Sequence, residues 1–144
     1  MANKIVITGG AGFIGSYLLR NIKNKKNLIV VDKLKSKKVY KKFRSLNIKY
    51  VQGNLLNQNF AKKVYKNAST VYHLAGIVKV PNTDKNLDLN KERKIFNEAI
   101  HIMKNLLQFC SINAKIIFPS THLVFENCKK DKITFNEKSI TLAN

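Results

Sequence analysis

At 144 residues, 44% of them hydrophobic, the chain is long enough for one domain with a real core and too short for two. No run approaches the ~20 apolar residues of a membrane span, no apolar leader precedes the first strand, and Cys110 and Cys128 stand in no paired spacing, so a soluble protein of the reducing cytoplasm is expected. Lysine and arginine number 27 against 8 acidic residues, a net charge of +19 that excludes an acidic or charge-balanced surface and attracts anions.

The short apolar run Ile5-Val6-Ile7 reads as a strand, and it leads into the glycine-rich stretch Thr8–Gly15. Gly10, Gly12 and Gly15 satisfy a GxGxxG spacing, while Gly9, Gly12 and Gly15 satisfy GxxGxxG. Such a turn between a buried strand and a helix cradles phosphate, because glycine lets the backbone approach an anion that then sits at the helix's positive end. Glycine-rich turns also serve plain loops, so the surroundings decide. A helix is expected from Phe13 to Ile22, followed by the polar run Asn21–Asn27. Leu28-Ile29-Val30-Val31 is a continuous apolar run, as a parallel strand buried on both faces requires. It ends at Asp32, ~20 residues beyond Gly12, where a dinucleotide fold places the carboxylate that holds the adenosine ribose. The plain alternative is a strand-end or helix-capping aspartate. The order strand, glycine turn, helix, strand, acid favours the functional reading. A carboxylate there repels a 2′-phosphate, so NAD is favoured over NADP, with Lys33 and Lys35 close enough to soften the preference.

Lys37 to Leu46 forms a basic helical pattern with Val39, Phe43 and Leu46 on one face. Ile48-Lys49-Tyr50-Val51 reads as the third strand, ending at Gln52-Gly53-Asn54-Leu55, where a side-chain amide either meets an adenine edge or satisfies a turn. Phe60 to Tyr65 is helical, and Thr70–Leu74 is the fourth strand, running into the small residues Ala75-Gly76. His73 within it reads as a packed core histidine rather than a catalyst. Val80–Asn90 is loop-like, and from Lys91 a long helix carries an apolar face wider than one sheet contact needs. That width fits a partner helix from a second copy and a broad core stripe equally well. Lys115-Ile116-Ile117-Phe118 is the fifth strand, followed by Pro119-Ser120-Thr121-His122, and no element is expected after Cys128. His73, His101 and His122 have no metal-ligand spacing.

Five strand patterns alternating with helical ones imply an α/β fold with a doubly wound parallel sheet, ordered 3-2-1-4-5. Ligands sit at the carboxyl ends of such strands, and the glycine turn, Asp32, Asn54, Ala75-Gly76 and Ser120-Thr121 all fall at that edge. The basic charge is a second candidate feature. Only Arg20, Arg44 and Arg93 are arginines, the type that reads bases bidentately, and the lysines are spread along the chain. Abundant lysine, asparagine and isoleucine share A/T-rich codons, so a solvated basic surface is favoured over dedicated nucleic-acid binding.

These residues resemble the extended short-chain dehydrogenase/reductase superfamily, and within it the NAD-dependent epimerase/dehydratase family that acts on nucleotide sugars. Thr8–Gly15 resembles its TGxxGxxG fingerprint, Asp32-Lys33-Leu34 its ribose-binding acid and loop, and Gly53-Asn54-Leu55 its Gly-Asp-Leu turn, with Asn in place of Asp. His73-Leu74-Ala75-Gly76 is similar to the HLAA or HFAG stretch, Asn105-Leu106-Leu107 to the NLL of the fourth helix, and Ser120-Thr121 to the catalytic Ser/Thr after strand five. The resemblance implies a Rossmann-like sheet over 1–144 that holds NAD through Gly9, Gly12, Phe13, Ile14, Gly15, Asp32 and Lys33 on one side. On the other side it implies Asn54, Leu55, Leu74, Ala75 and Gly76. It further implies a nucleotide-sugar substrate for the full-length enzyme, with Thr121 and Ser120 catalytic. A Tyr base would take the hydroxyl proton as hydride passes to the nicotinamide, a Lys would lower the Tyr pKa, and the substrate would pass through a keto intermediate.

The chain also departs from that pattern. Where hexose 4,6-dehydratases have acids after the catalytic Thr, it has His122 and Leu123, and Phe125-Glu126 replace the usual Tyr-Gly. Ala99 stands where the family has Asn, and Ile102 where it has Gly, so the fourth helix is expected to pack differently. No tyrosine is followed four residues on by lysine: Tyr17, Tyr40, Tyr50, Tyr65 and Tyr72 lead to Asn21, Arg44, Asn54, Ser69 and Gly76. The expectation is an N-terminal part, truncated after about five strands and lacking the substrate domain, that binds NAD but is catalytically incomplete. The alternative is a non-catalytic dinucleotide-binding or regulatory module.

Overall fold

Parallel pairing gathers the apolar runs into one five-stranded sheet. The computed structural model describes residues 3–23, 25–76 and 89–120. The strands are β1 (Lys4–Thr8), β2 (Leu28–Asp32), β3 (Lys49–Gln52), β4 (Ala68–His73) and β5 (Lys115–Ile117), in the order β3-β2-β1-β4-β5. This is the order expected from the alternation of strand and helix patterns. Ile5 pairs with Leu28 and Ile7 with Val30 on one side of β1, and Ile7 with Tyr72 on the other.

Side chains alternate across the sheet, so each central strand feeds two cores. Ile7, Leu28 and Val30 pack with Leu19 of α1 (Phe13–Asn21) and Phe43 of α2 (Lys37–Ser45). Val6, Val31 and Val71 pack with Ala61, Val64 and Tyr65 of α3 (Gln58–Tyr65) and Leu106 of α4 (Leu89–Phe109). Val6, Ile7, Val30 and Val31 are wholly buried, which is why β1 and β2 read as unbroken apolar runs. Burying a ring the size of Phe43 stabilises by roughly 1.5–3 kcal/mol. Tyr65 is buried equally deeply, but its hydroxyl finds no hydrogen-bond partner, which offsets part of its gain.

Turn chemistry sets the element ends. Asn47 ends α2 with a φ of 57°, its N–H donating to Arg44 O at 3.0 Å and the next N–H, of Ile48, to Phe43 O at 3.0 Å. This paired closure satisfies the last helical carbonyls and tolerates asparagine in the left-handed region. Asn27 and Asn67 take the same backbone region, at φ 63° and 59°, just before β2 and β4. α3 starts two residues before the expected Phe60, because Asn57 Oδ1 accepts from Phe60 N at 2.9 Å and caps the helix. α4 likewise starts at Leu89 rather than Lys91. Thr121, His122 and the polar stretch after Phe125, like most of the loop expected over Val80–Asn90, lie outside the described residues.

Candidate functional site

The carboxyl ends of β1, β2, β3 and β4 border one cavity of about 790 Å³. The glycine turn forms its floor. Gly9 takes φ +67°, and a Cβ there would lie 2.6 Å from Leu74 O, so the end of β4 rests directly on the turn. At Gly15 a Cβ would lie 2.5 Å from Gly10 Cα, which fixes α1 against the same turn. Gly12 is the N-cap of α1, with no side-chain cap and no acidic residue in the first turn. Among the described residues no side chain caps the first-turn N–H groups, and the positive end of a helix favours an anion.

Asp32 ends β2 beside this turn. Its Oδ2 accepts from Ala11 N at 3.0 Å and its Oδ1 from Leu34 N at 3.1 Å, so the carboxylate is oriented from both sides while keeping lone pairs for further donors. It is the sole acidic residue before Thr83. The following loop, Lys33-Leu34-Lys35, lines the cavity and is tied to β3, where Tyr50 donates its hydroxyl to Leu34 O at 2.6 Å. Burial, then the Asp32 charge and Tyr40, push the Tyr50 phenol up to about 12, so it remains a donor.

Asn54 makes the turn bond that was one of its two readings. Its Oδ1 accepts from Leu56 N at 3.0 Å, while the residue also borders the cavity. Gly53 is needed beneath it, since a Cβ there would overlap the Phe60 ring. The buried Asn105 of α4 donates to Leu55 O at 2.8 Å, tying the helix to this turn across the cavity. At the end of β4, Thr8 Oγ1 accepts from Ala75 N at 3.2 Å and bonds His73 Nδ1 at 3.1 Å. Burial holds His73 below the usual histidine range, so its ring is neutral. The ring stacks on Phe118 with centroids 5.9 Å apart, a packed position as expected.

Of the residues singled out in the sequence, Gly9, Gly12, Asp32, Lys33, Asn54, Leu55, Leu74, Ala75 and Gly76 come together around the cavity. Gly15 lies buried under the turn, and Phe13 and Ile14 are exposed beside it, 92% and 56%, outside the cavity wall. Ser120 is exposed beyond β5 and does not line the cavity, and Thr121 lies outside the described residues. The sequence reading missed Ile95, Glu98 and Ile102, which close the cavity from α4. Their spacing, i, i+3, i+7 with Asn105 one turn on, was the available signal. Ile102, standing where the resemblance expects glycine, contributes a side chain to the wall. Among the described residues no group of three potential metal ligands occurs, and no helix is long and apolar enough to cross a membrane.

One cavity therefore joins an uncapped helix N-terminus, a fixed carboxylate and an apolar wall with the amide of Asn54. Together these suit a phosphate, vicinal hydroxyls and a flat ring. The model of the NAD dependent epimerase/dehydratase family matches residues 5–142. The chain is 31% identical over 140 residues to a dTDP-D-glucose 4,6-dehydratase of Dictyostelium discoideum, covering 90% of this chain and 27% of that protein. It is also 31% identical over 128 residues to a UDP-N-acetyl-alpha-D-glucosaminuronate decarboxylase of Bacillus cytotoxicus, covering 87% and 38%. Among solved structures, the UDP-glucose-4-epimerase of Stenotrophomonas maltophila, with bound NAD and formylated UDP-arabinopyranose, superposes with a TM-score of 0.73 at 20% identity. That match covers 98% of this chain and 43% of the epimerase and shows the shared fold. The chain thus spans well under half the length of each.

Proposed function

The chain belongs to the NAD dependent epimerase/dehydratase family, and from that premise we propose that it is the NAD-binding part of a nucleotide-sugar epimerase or reductase. The observation that carries this reading is Asp32, held by Ala11 N and Leu34 N opposite the bare N-terminus of α1 in one cavity. The pyrophosphate would lie on the first-turn N–H groups after Gly12, the adenosine ribose on Asp32, and the adenine between Leu55 and Ile102. Leu74, Ala75 and Gly76 would flank the nicotinamide half, and a Cβ on Gly76 would meet nothing within 4 Å among the described residues. When bound, NAD supplies a hydride acceptor, and the reaction is oxidation of a sugar hydroxyl to a keto intermediate that is then reduced. Thr121 or Ser120 would hydrogen-bond the reacting oxygen. No Tyr-x-x-x-Lys occurs in the sequence, so the chain by itself is expected to bind without turnover.

Calorimetric titration tests the binding. Asp32→Ala and Gly12→Val should each weaken NAD at least about tenfold, by loss of the ribose acceptor and by a side chain beneath the pyrophosphate. Undiminished affinity in both would sink the assignment. Asp32→Asn should narrow the preference for NAD over NADP, because the charge that repels a 2′-phosphate is gone. The second reading is a non-catalytic dinucleotide-binding or regulatory module, which the same cavity would serve. Turnover of a nucleotide sugar at an ordinary rate by this chain would refute both the incompleteness and that second reading.

A further inference from the structure

Every strand of the sheet opens on a lysine or has one two residues before it. Lys4, Lys49 and Lys115 are the first residues of β1, β3 and β5, Lys25 and Lys26 precede β2, and Lys66 precedes β4. In sequence these span Lys4 to Lys115. The order β3-β2-β1-β4-β5 brings their backbone positions to the amino-terminal edge, as Lys49, Lys25 and Lys26, Lys4, Lys66 and Lys115, staggered along the strands because Lys49 pairs with Ile29 and Lys115 with Thr70. With four gaps of about 4.8 Å the row is about 19 Å long. Lys49, Lys66 and Lys115 are exposed. Lys4 donates to Lys66 O at 2.8 Å, which holds its ammonium in the row.

Two concavities border the β3 end. One of about 420 Å³ is lined by Lys4, Lys25, Lys26 and Lys49, and one of about 640 Å³ by Tyr40, Lys41, Arg44 and Lys49; they share Asn47 and Lys49, and no carboxylate lines either among the described residues. The sole acid before Thr83, Asp32, is at the opposite end of the strands, at the cofactor cavity. A single-sign row of this length beside a groove meets several successive phosphates at once. Lysines give point charges without a bidentate fork, which suits a backbone and not bases. Tyr40, 42% exposed at the groove, offers a ring on which a base can stack.

We infer that the amino-terminal edge of the sheet is a docking ridge for the phosphodiester backbone of single-stranded nucleic acid, separate from the cofactor cavity. One of the grounds for reading a merely solvated basic surface was that the lysines are dispersed along the chain, and pairing of the strands removes that dispersion. The proposal does not rest on the cofactor reading.

The test is fluorescence anisotropy of a labelled oligo-dT strand with the chain over stepped NaCl. The ridge variant combines Lys49→Glu, Lys66→Glu and Lys115→Glu. A control with the same charge change combines Lys38→Glu, Lys94→Glu and Lys104→Glu, all exposed on α2 and α4. The ridge variant should lose at least about tenfold in affinity, and its log–log salt slope should shrink by about 2, at ~0.7 per lost phosphate contact. The control should change both little. Equal losses in the two variants would mean that net charge alone binds the strand, and would overturn the ridge. So would binding to phosphatidylserine vesicles with none to the oligonucleotide. If the Glu variant loses its far-UV circular dichroism, the corresponding Lys→Gln triple is read in the same assay, and its retention of full affinity refutes the proposal.

Discussion

Asp32 and His73 occupy matching places, each at the carboxyl end of a strand that flanks β1 and each bonded to the turn that β1 enters. Asp32 takes the Ala11 N–H and His73 bonds the Thr8 hydroxyl. The aspartate was legible in the sequence, because its distance from the glycines is set by one helix and one strand. The histidine's partner was not, because Thr8 lies 65 residues away and meets it only through the β1–β4 register. Burial lowers the His73 pKa, so in the native state it stays neutral where the unfolded chain, near 6.5, already takes up a proton. Its contribution to stability is therefore complete above about pH 6.5 and is lost as pH falls through the lowered native value. Urea midpoints measured from about pH 7.5 down to 5 should fall more steeply for the wild type than for His73→Gln. Equal slopes would show that another group titrates.

Among the elements, α4 departs most from what its sequence suggested. Its apolar face was wide enough for a core stripe or for a partner helix, and its two sides take different environments. Ile102, Met103, Leu106 and Phe109 pack on the core, while Phe96, Ile100 and Leu107 stay exposed, Phe96 and Leu107 by 66% and 64%. We propose the outer row as a homodimer surface, a second copy's α4 lying against it about a twofold axis, since such a row is complementary to itself. Sedimentation equilibrium should give a dimer for the wild type and a monomer for Phe96→Lys combined with Leu107→Lys. A wild-type monomer at high concentration would exclude it. The α3 boundary shows the opposite case, a local signal that was present but unused. Asn57, three residues before Phe60, is the capping type, and its side chain sets the helix start.

For the whole molecule, charge is the dominant global term. A net +19 held in a small fold repels itself, and added salt screens that repulsion over ~10 Å at 0.1 M. The melting temperature should therefore rise by a few degrees between about 10 and 300 mM NaCl. A flat or falling curve would mean that attractive pairs outweigh the repulsion. The sequence by itself determined the order of strands and helices, the glycine turn, the acid that ends β2 and hence the sheet edge at which they meet. Those features are written in short windows, as hydrophobic period, turn chemistry and spacing along one helix and one strand. Only the tertiary structure decided which side of α4 closes the cavity, how Asn105 anchors the turn at Leu55, and that lysines from five distant segments form one row. Each of these depends on strand pairing and helix rotation, and both are settled by packing between segments that no local window contains.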